Sequence, residues 1–154
     1  MATEIEHKYL VHDMSFVAMA VEKHEISQGY LSRDTGRTVR VRIIDDHAVI
    51  TIKGPNSGAT RAEFEYPIPI DDARQLLTLC PPPVIVKTRH IVLFHGNRWE
   101  VDVFHGDNEG LTVAEIELGA EDEAFERPEW LREEVSTDAR YFNCNLAKNP
   151  YKNW

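Results

Sequence analysis

The sequence predicts a mainly β (α+β) fold: an eight-stranded antiparallel β-barrel tunnel with a charged interior and helices packed outside. Three observations point to it. Residues alternate with a two-residue period along about eight stretches, several of them joined by hairpin signals. One face of nearly every stretch carries a pair of like-signed charges. Amphipathic helical stretches are left over, and these need an apolar sheet surface to cover, which the outside of such a barrel would offer.

In chain order, EIEHKYLV (4–11) is the first strand. A short helix over Met14–Lys23 and an extended EISQGYLS (25–32) follow. RTVRVRII and AVITIKG flank Asp45-Asp46-His47 as a hairpin, GPNSG breaks the chain, and RAEFEYPIPI resumes it. DDARQLLTLC has acids in its first turn and apolar residues at helical spacing, so it reads as a helix stopped by Pro81-Pro82-Pro83. VIVKTRHIVLF and RWEVDVF form a second hairpin through His95-Gly96-Asn97, and LTVAEIELG closes the sheet. The tail reads as short helices, Glu129–Val135 after a proline and then Ala139–Lys148.

A length of 154 residues suits one domain with a core that needs no staples. The net charge of −9 argues against nucleic acid or an anionic membrane as a general partner, but leaves room for an anionic small molecule in a local basic site. There is no apolar run of membrane-spanning length and no basic-then-apolar leader, so a cytoplasmic location is expected. Cys80 and Cys144 lack any metal-ligand spacing and read as buried reduced thiols. The histidines show no HxxxH or HxH spacing, which argues against a zinc site. GPNSG lacks the GK[ST] of a phosphate-binding loop.

The charge parity is more specific. Same-face pairs are Glu4/Glu6, Arg40/Arg42, Glu63/Glu65, Lys87/Arg89, Glu100/Asp102 and Glu115/Glu117, with Lys8 and Lys53 added singly. Like charges on neighbouring same-face positions repel, and a solvated face would mix in Ser, Thr and Gln. An inward charged face must be wet and must hold compensating ligands. Carboxylates at this spacing can share a hard divalent cation, while arginines and lysines suit phosphate oxygens. A polyphosphate carrying divalent metal fits both.

The ordered elements EIEHKYL, RVR (40–42), TIKG (51–54), EFE (63–65), KTR (87–89), EVD (100–102) and EIE (115–117) resemble the triphosphate tunnel metalloenzymes, the CYTH superfamily. The first is similar to the family's ExExK signature, and the tail YFNCNLAKNP resembles small bacterial members. The resemblance implies an eight-stranded tunnel and a triphosphatase requiring Mg2+ or Mn2+, two ions per site. Lys8, Arg40, Arg42, Lys53, Lys87 and Arg89 would grip the triphosphate. Glu4 and Glu6, with Glu115 and Glu117, would be metal ligands. Glu63, Glu65, Glu100 and Asp102 would hold a second metal, hold water, or orient the cations. Tyr30 reads as packing, its alternative being a tunnel-facing catalytic partner of Lys87 at the attacking water. Arg61 and Arg98 share the inward parity at strand starts and belong at the rim. Lys148 reads as solvated, and Trp99 as core on the outer parity.

Inorganic tripolyphosphate is the leading substrate. Alternatives are a thiamine triphosphatase, a nucleoside triphosphatase or a class IV adenylate cyclase in the same tunnel, or a non-catalytic polyphosphate- or nucleotide-binding module. Members of the family often dimerise, so the resemblance allows a homodimer.

Overall fold

The computed structural model describes residues 2–154. Strand β1 (Ala2–Val11) closes the barrel. Its first residues pair with β5 (Thr60–Ile68), placing Glu4 opposite Arg61, while Glu6 to Leu10 pair with β8 (Thr112–Glu117) on the other side. The intervening strands are β2 (Ala20–Ser32), β3 (Thr38–Ile44), β4 (His47–Lys53), β6 (Ile85–Phe94) and β7 (Asn97–Phe104). The order β5-β4-β3-β2-β6-β7-β8-β1 returns to β5, with antiparallel pairing throughout. Closure pairs the eight strands into a ring and leaves one stretch of edge, on β1 beyond its pairing with β5. Around the ring, β3 lies four strands from β8 in either direction, so the two face each other across the lumen.

The tight hairpins form where the sequence puts residues that tolerate left-handed backbone. His95 (φ 47°) and Gly96 (φ 80°) link β6 to β7, as a primed two-residue turn requires. Asp45 (φ 52°) turns β3 into β4. Its carboxylate accepts from the Glu25 backbone N–H at 2.9 Å, which secures the turn.

Apolar residues of opposite parity cover the outside. Helix α1 (Ile70–Leu79) matches the expected helix, and lays Ala73, Leu76 and Leu77 over Val41 and Ala48. Its approach to β2 requires Gly29, where a Cβ would fall 2.9 Å from Cys80 Cβ and Sγ. Trp99 is fully buried, as expected, in a second cluster with Tyr9, Ile116, Phe16 and Trp130. The C-terminal segment does not join them outside: it packs Tyr141, Cys144 and Leu146 against Leu111 and against Phe104 and Val113, which share the inward parity of Asp102 and Glu115, so the tail caps one end of the lumen. No described helix is long and apolar enough to cross a membrane.

Three local expectations are corrected. The helix over Met14–Lys23 shrinks to a 3-10 helix at Ser15–Met19, because Ala20–Lys23 already pair with β6. Glu129–Val135 is not helical. Leu131–Glu134 forms strand β9 against Tyr9 and Val11, using the edge of β1 that β5 leaves free. Ala139–Lys148 is broken into a 3-10 turn (Ala139–Tyr141) and one-turn α2 (Asn143–Leu146). The break falls at extended Phe142 (φ −68°, ψ 132°), where the flanking residues bond to tunnel lysines instead of continuing a helix.

Candidate active site

The pleat turns the charged parity inward. The lumen is a cavity of about 300 Å³, walled by Glu4, Glu6, Lys8, Arg40, Arg42 and Lys53, and also by Glu63, Glu65, Lys87, Arg89, Glu100, Glu115 and Glu117. Tyr30 lines it as well, while its ring packs with Phe104 and Tyr141, so both sequence readings of this residue have a basis. Arg61 sits in the wall and donates to Gly54 O at 3.1 Å, whereas Arg98 and Lys148 lie outside it.

Asp102 stands apart from the other seven carboxylates. It is 2% exposed and is absent from the cavity wall. One oxygen accepts from Lys87 Nζ at 2.6 Å, and Arg89 grips both in a fork at 2.8 and 2.9 Å. Burial works against its ionisation, but Arg89 and Lys87 outweigh it and hold the carboxyl well below the usual range. Its oxygens are taken, which fits a counter-ion and not a metal ligand. Glu100 joins it at 3.4 Å from Arg89.

The remaining pairs divide the lumen. Lys53 donates to both Glu4 oxygens (2.8 and 3.0 Å) and lies 3.5 Å from Glu63. Lys8 lies 3.5 Å from Glu115 and donates to Tyr141 O at 3.1 Å. Burial opposes ionisation of Glu115, yet Lys8, Arg89 and Lys87 bring its carboxyl down to about 2. Arg40 donates to Thr51 Oγ1 at 3.1 Å, and that hydroxyl donates on to Glu65 at 3.0 Å.

Two groups of charges are left over, on opposite sides. Glu6 and Glu117 are directly opposed on β1 and β8, and both lack an ion pair among the described residues because Lys8 and Lys53 face Glu115 and Glu4. Burial, then Glu115 and Glu4, raise the Glu6 carboxyl well above its ordinary value. Burial and the nearby Glu4 and Glu100 raise Glu117 too. On the β3 side, Arg42 bonds to the neutral Gln28 Oε1 at 2.8 Å instead of to a carboxylate. Burial, with Arg40 and Arg89, lowers its guanidinium to about 9, so it stays a cation at neutral pH. Among the described residues, Arg40 Nε on β3 is a buried donor without a partner, as is Arg61 Nη2 on β5, next to the carboxylate strand β1. The unmet donors of β3 and the unmet carboxylates across from them on β1 and β8 suit an anion and a hard cation respectively. Among the described residues no three acidic, His or Cys side chains yet converge on one point; the carboxylates stand apart along the wall.

Lys87 is fully buried at the cavity wall. Besides Asp102, it donates to Asn143 Oδ1 at 3.1 Å. Burial lowers its ammonium to about 7 despite the Asp102 pairing, with Arg89 and Arg42 adding to the shift.

The sequence reading missed Gln28, Thr51, Ser136 and Asn143. Gln28 and Thr51 lie on the inward parity of β2 and β4, so parity alone would have found them had neutral residues been counted. Ser136 and Asn143 enter the wall from the irregular tail, where no periodicity projects a side chain inward.

Known proteins agree with this architecture. The family model described as the CYTH domain matches residues 2–149. An inorganic triphosphatase of Acetivibrio thermocellus is 45% identical over 155 residues, spanning 100% of this chain and 99% of that protein. One from Nitrosomonas europaea is 34% identical over 149 residues, spanning 94% and 97%. A crystal structure of an inorganic triphosphatase superposes with a TM-score of 0.68 at 31% identity, covering 96% of this chain and 95% of the other. A putative adenylyl cyclase from Hippeastrum, described as having a dominant triphosphatase activity, shares the fold at 13% identity (TM-score 0.54, covering 78% and 80%). With the matched model, the full-length relatives and a closed barrel of inward charges in agreement, this chain belongs to the CYTH domain family.

Proposed function

We propose that this chain is a metal-dependent inorganic triphosphatase, hydrolysing tripolyphosphate to pyrophosphate and phosphate inside the barrel. The observation that carries this reading is the division of the lumen. Among the described residues, Arg40 and Arg42 on β3 hold unmet donor capacity, and Glu6 and Glu117 face them from β1 and β8 as unpaired carboxylates. A polyphosphate with a divalent cation answers both. Relatives named inorganic triphosphatases, matched along almost their whole length, support the same substrate.

Glu6 and Glu117, with Glu4 and Glu115 beside them, would hold Mg2+ or Mn2+; their all-oxygen character suits a hard cation, and the raised carboxyls of Glu6 and Glu117 mark charge in want of one. When bound, the cation neutralises phosphate oxygens and lowers the pKa of water. Glu63, Glu65 and Glu100 orient Lys53, Arg40 and Arg89, and Asp102 is the fixed counter-ion of Lys87 and Arg89.

The residues of the chain do the positioning. Lys8, Arg40, Arg42, Lys53 and Arg89 surround the phosphate oxygens with charge-assisted donors, and stabilise charge spreading over the transferred phosphoryl group and the leaving pyrophosphate. Lys87 can serve as the base. With its ammonium brought down to about 7, a fraction of it is neutral near that pH, and the two N–H bonds of the neutral form go to Asp102 and Asn143. The lone pair is then free to receive a proton from the attacking water, with Tyr30 at the same wall. Burial holds the Tyr30 phenol protonated beyond its usual range, so it acts as a hydrogen-bond donor. Orthophosphate release from tripolyphosphate with Mg2+ tests the reading. Arg42→Ala should lose about 100-fold in kcat/KM, the scale of about 2.7 kcal/mol of transition-state binding, and an unchanged rate would contradict it.

A further inference from the structure

Asn143 belongs to none of the charged pairs that announce this site, yet its neighbours fix the orientation of its amide. Arg and Lys side chains can only donate. Arg42 Nε donates to Gln28 at 2.8 Å, which makes the accepting atom Gln28 Oε1. Gln28 must then turn its nitrogen outward, and Gln28 Nε2 donates to Asn143 at 3.1 Å. Lys87 Nζ donates to the same atom at 3.1 Å. Both donors require an oxygen, so the atom is Asn143 Oδ1 and the amide cannot be flipped.

This chain of obligations fixes the other end of the amide. Asn143 Nδ2 has no acceptor among the described residues, and it is not among the buried unpartnered atoms. Asn143 lines the cavity. Its two N–H bonds are therefore presented at the tunnel wall, beside the lysine whose ammonium it anchors. Gln28 is fully buried and cannot rearrange cheaply, so the orientation is built in before any ligand arrives.

We propose that Asn143 is a substrate-binding residue, donating from Nδ2 to a phosphate oxygen next to Lys87. The proposal rests on the triphosphatase reading and extends it to the C-terminal segment. A neutral donor has a particular use here. It holds a phosphate oxygen beside Lys87 without adding a positive charge, which would lower the lysine further. It also ties the tail to the site, since the residue that reads the phosphate is carried by a one-turn helix outside the barrel strands.

Asn143→Asp separates binding from anchoring. The carboxylate keeps an oxygen for Lys87 and Gln28, so their anchoring survives; its charge also favours the Lys87 ammonium, so kcat is expected to fall and KM is the readout of binding. Its second oxygen replaces the Nδ2 donors with an anion facing phosphate, which repels. KM and kcat for tripolyphosphate with Mg2+ are measured alongside the melting midpoint. The expected result is a KM raised at least about tenfold in Asn143→Asp, with the midpoint within a few degrees of wild type. Asn143→Leu, similar in volume and without donors, is the second variant and should also raise KM should the aspartate fail to fold. Wild-type KM in a folded variant of either kind overturns the inference alone. A wild type that releases no phosphate from tripolyphosphate overturns the functional reading, and this inference with it.

Discussion

Glu6 and Glu117 occupy directly opposed positions on β1 and β8, with Glu4 two residues further along the same face and Lys8 and Lys53 facing other carboxylates. Opposed like charges on neighbouring strands destabilise a sheet by about 0.2–1 kcal/mol. The barrel nevertheless builds them into its seam, where β1 passes from β5 to β8. A site that costs the apo protein stability and is relieved by a cation leads to the first prediction.

Glu6→Gln should melt higher than wild type in EDTA at neutral pH, by about 2–4 °C for a chain of this size. Added Mg2+ should raise the wild-type midpoint more than that of the variant. The measurement is a pair of thermal melts with and without Mg2+; a variant that melts lower in EDTA would show that Glu6 is satisfied without metal.

Asp102→Asn should cost both stability and activity although Asp102 never reaches the cavity. Removing one partner of a buried ion pair typically costs about 3–5 kcal/mol. Here it would leave Lys87 and Arg89 without their shared carboxylate. Chemical denaturation should give the loss directly, and near-wild-type kcat would refute the counter-ion assignment.

The pH dependence follows from Lys87. A base must be deprotonated, so kcat should rise with pH along a limb centred near 7. The stability sign is separate. The folded-state pKa lies below the unfolded value of about 10.4, so the folded protein binds fewer protons between those values, and this group's contribution to stability improves as pH rises through that window. A pH–rate profile at saturating Mg2+ checks the kinetic claim. Lys87→Met should abolish the limb together with most of the activity, and a flat wild-type profile would remove Lys87 from the base role.

Selectivity should follow the triphosphate and not what is attached to it. The gripping cations all lie on inward strand faces and offer charge with no pattern for reading a base. The ratio of kcat/KM for tripolyphosphate over ATP should be at least about tenfold, near 1.4 kcal/mol. Arg40→Ala should lower both together. A better rate with ATP, or formation of cyclic AMP, would move the chain to a different reaction in the same tunnel.

The barrel and its inward charges were legible because a strand has an unambiguous period: Arg40, Val41 and Arg42 can only alternate. The tail was not legible for the converse reason. Leu131–Glu134 is short enough to read as helix, and it becomes β9 through an edge of β1 that only the closed barrel leaves open. Phe142 is extended between the 3-10 turn and α2, with Tyr141 O bonded to Lys8 and the Asn143 side chain to Lys87 on either side of it, contacts that no sequence period announces. Parity likewise left Asp102 open between a metal, a water and the cations, since it says which face a residue occupies but not whether its oxygens are already held by Lys87 and Arg89.

The measurement that bears most directly on the whole account is orthophosphate release from tripolyphosphate, first with Mg2+ and then with EDTA in excess. Steady turnover to pyrophosphate and phosphate is expected with Mg2+, with loss of turnover in EDTA and recovery when Mg2+ or Mn2+ is restored. No phosphate release with either metal, or undiminished release in EDTA, would contradict it.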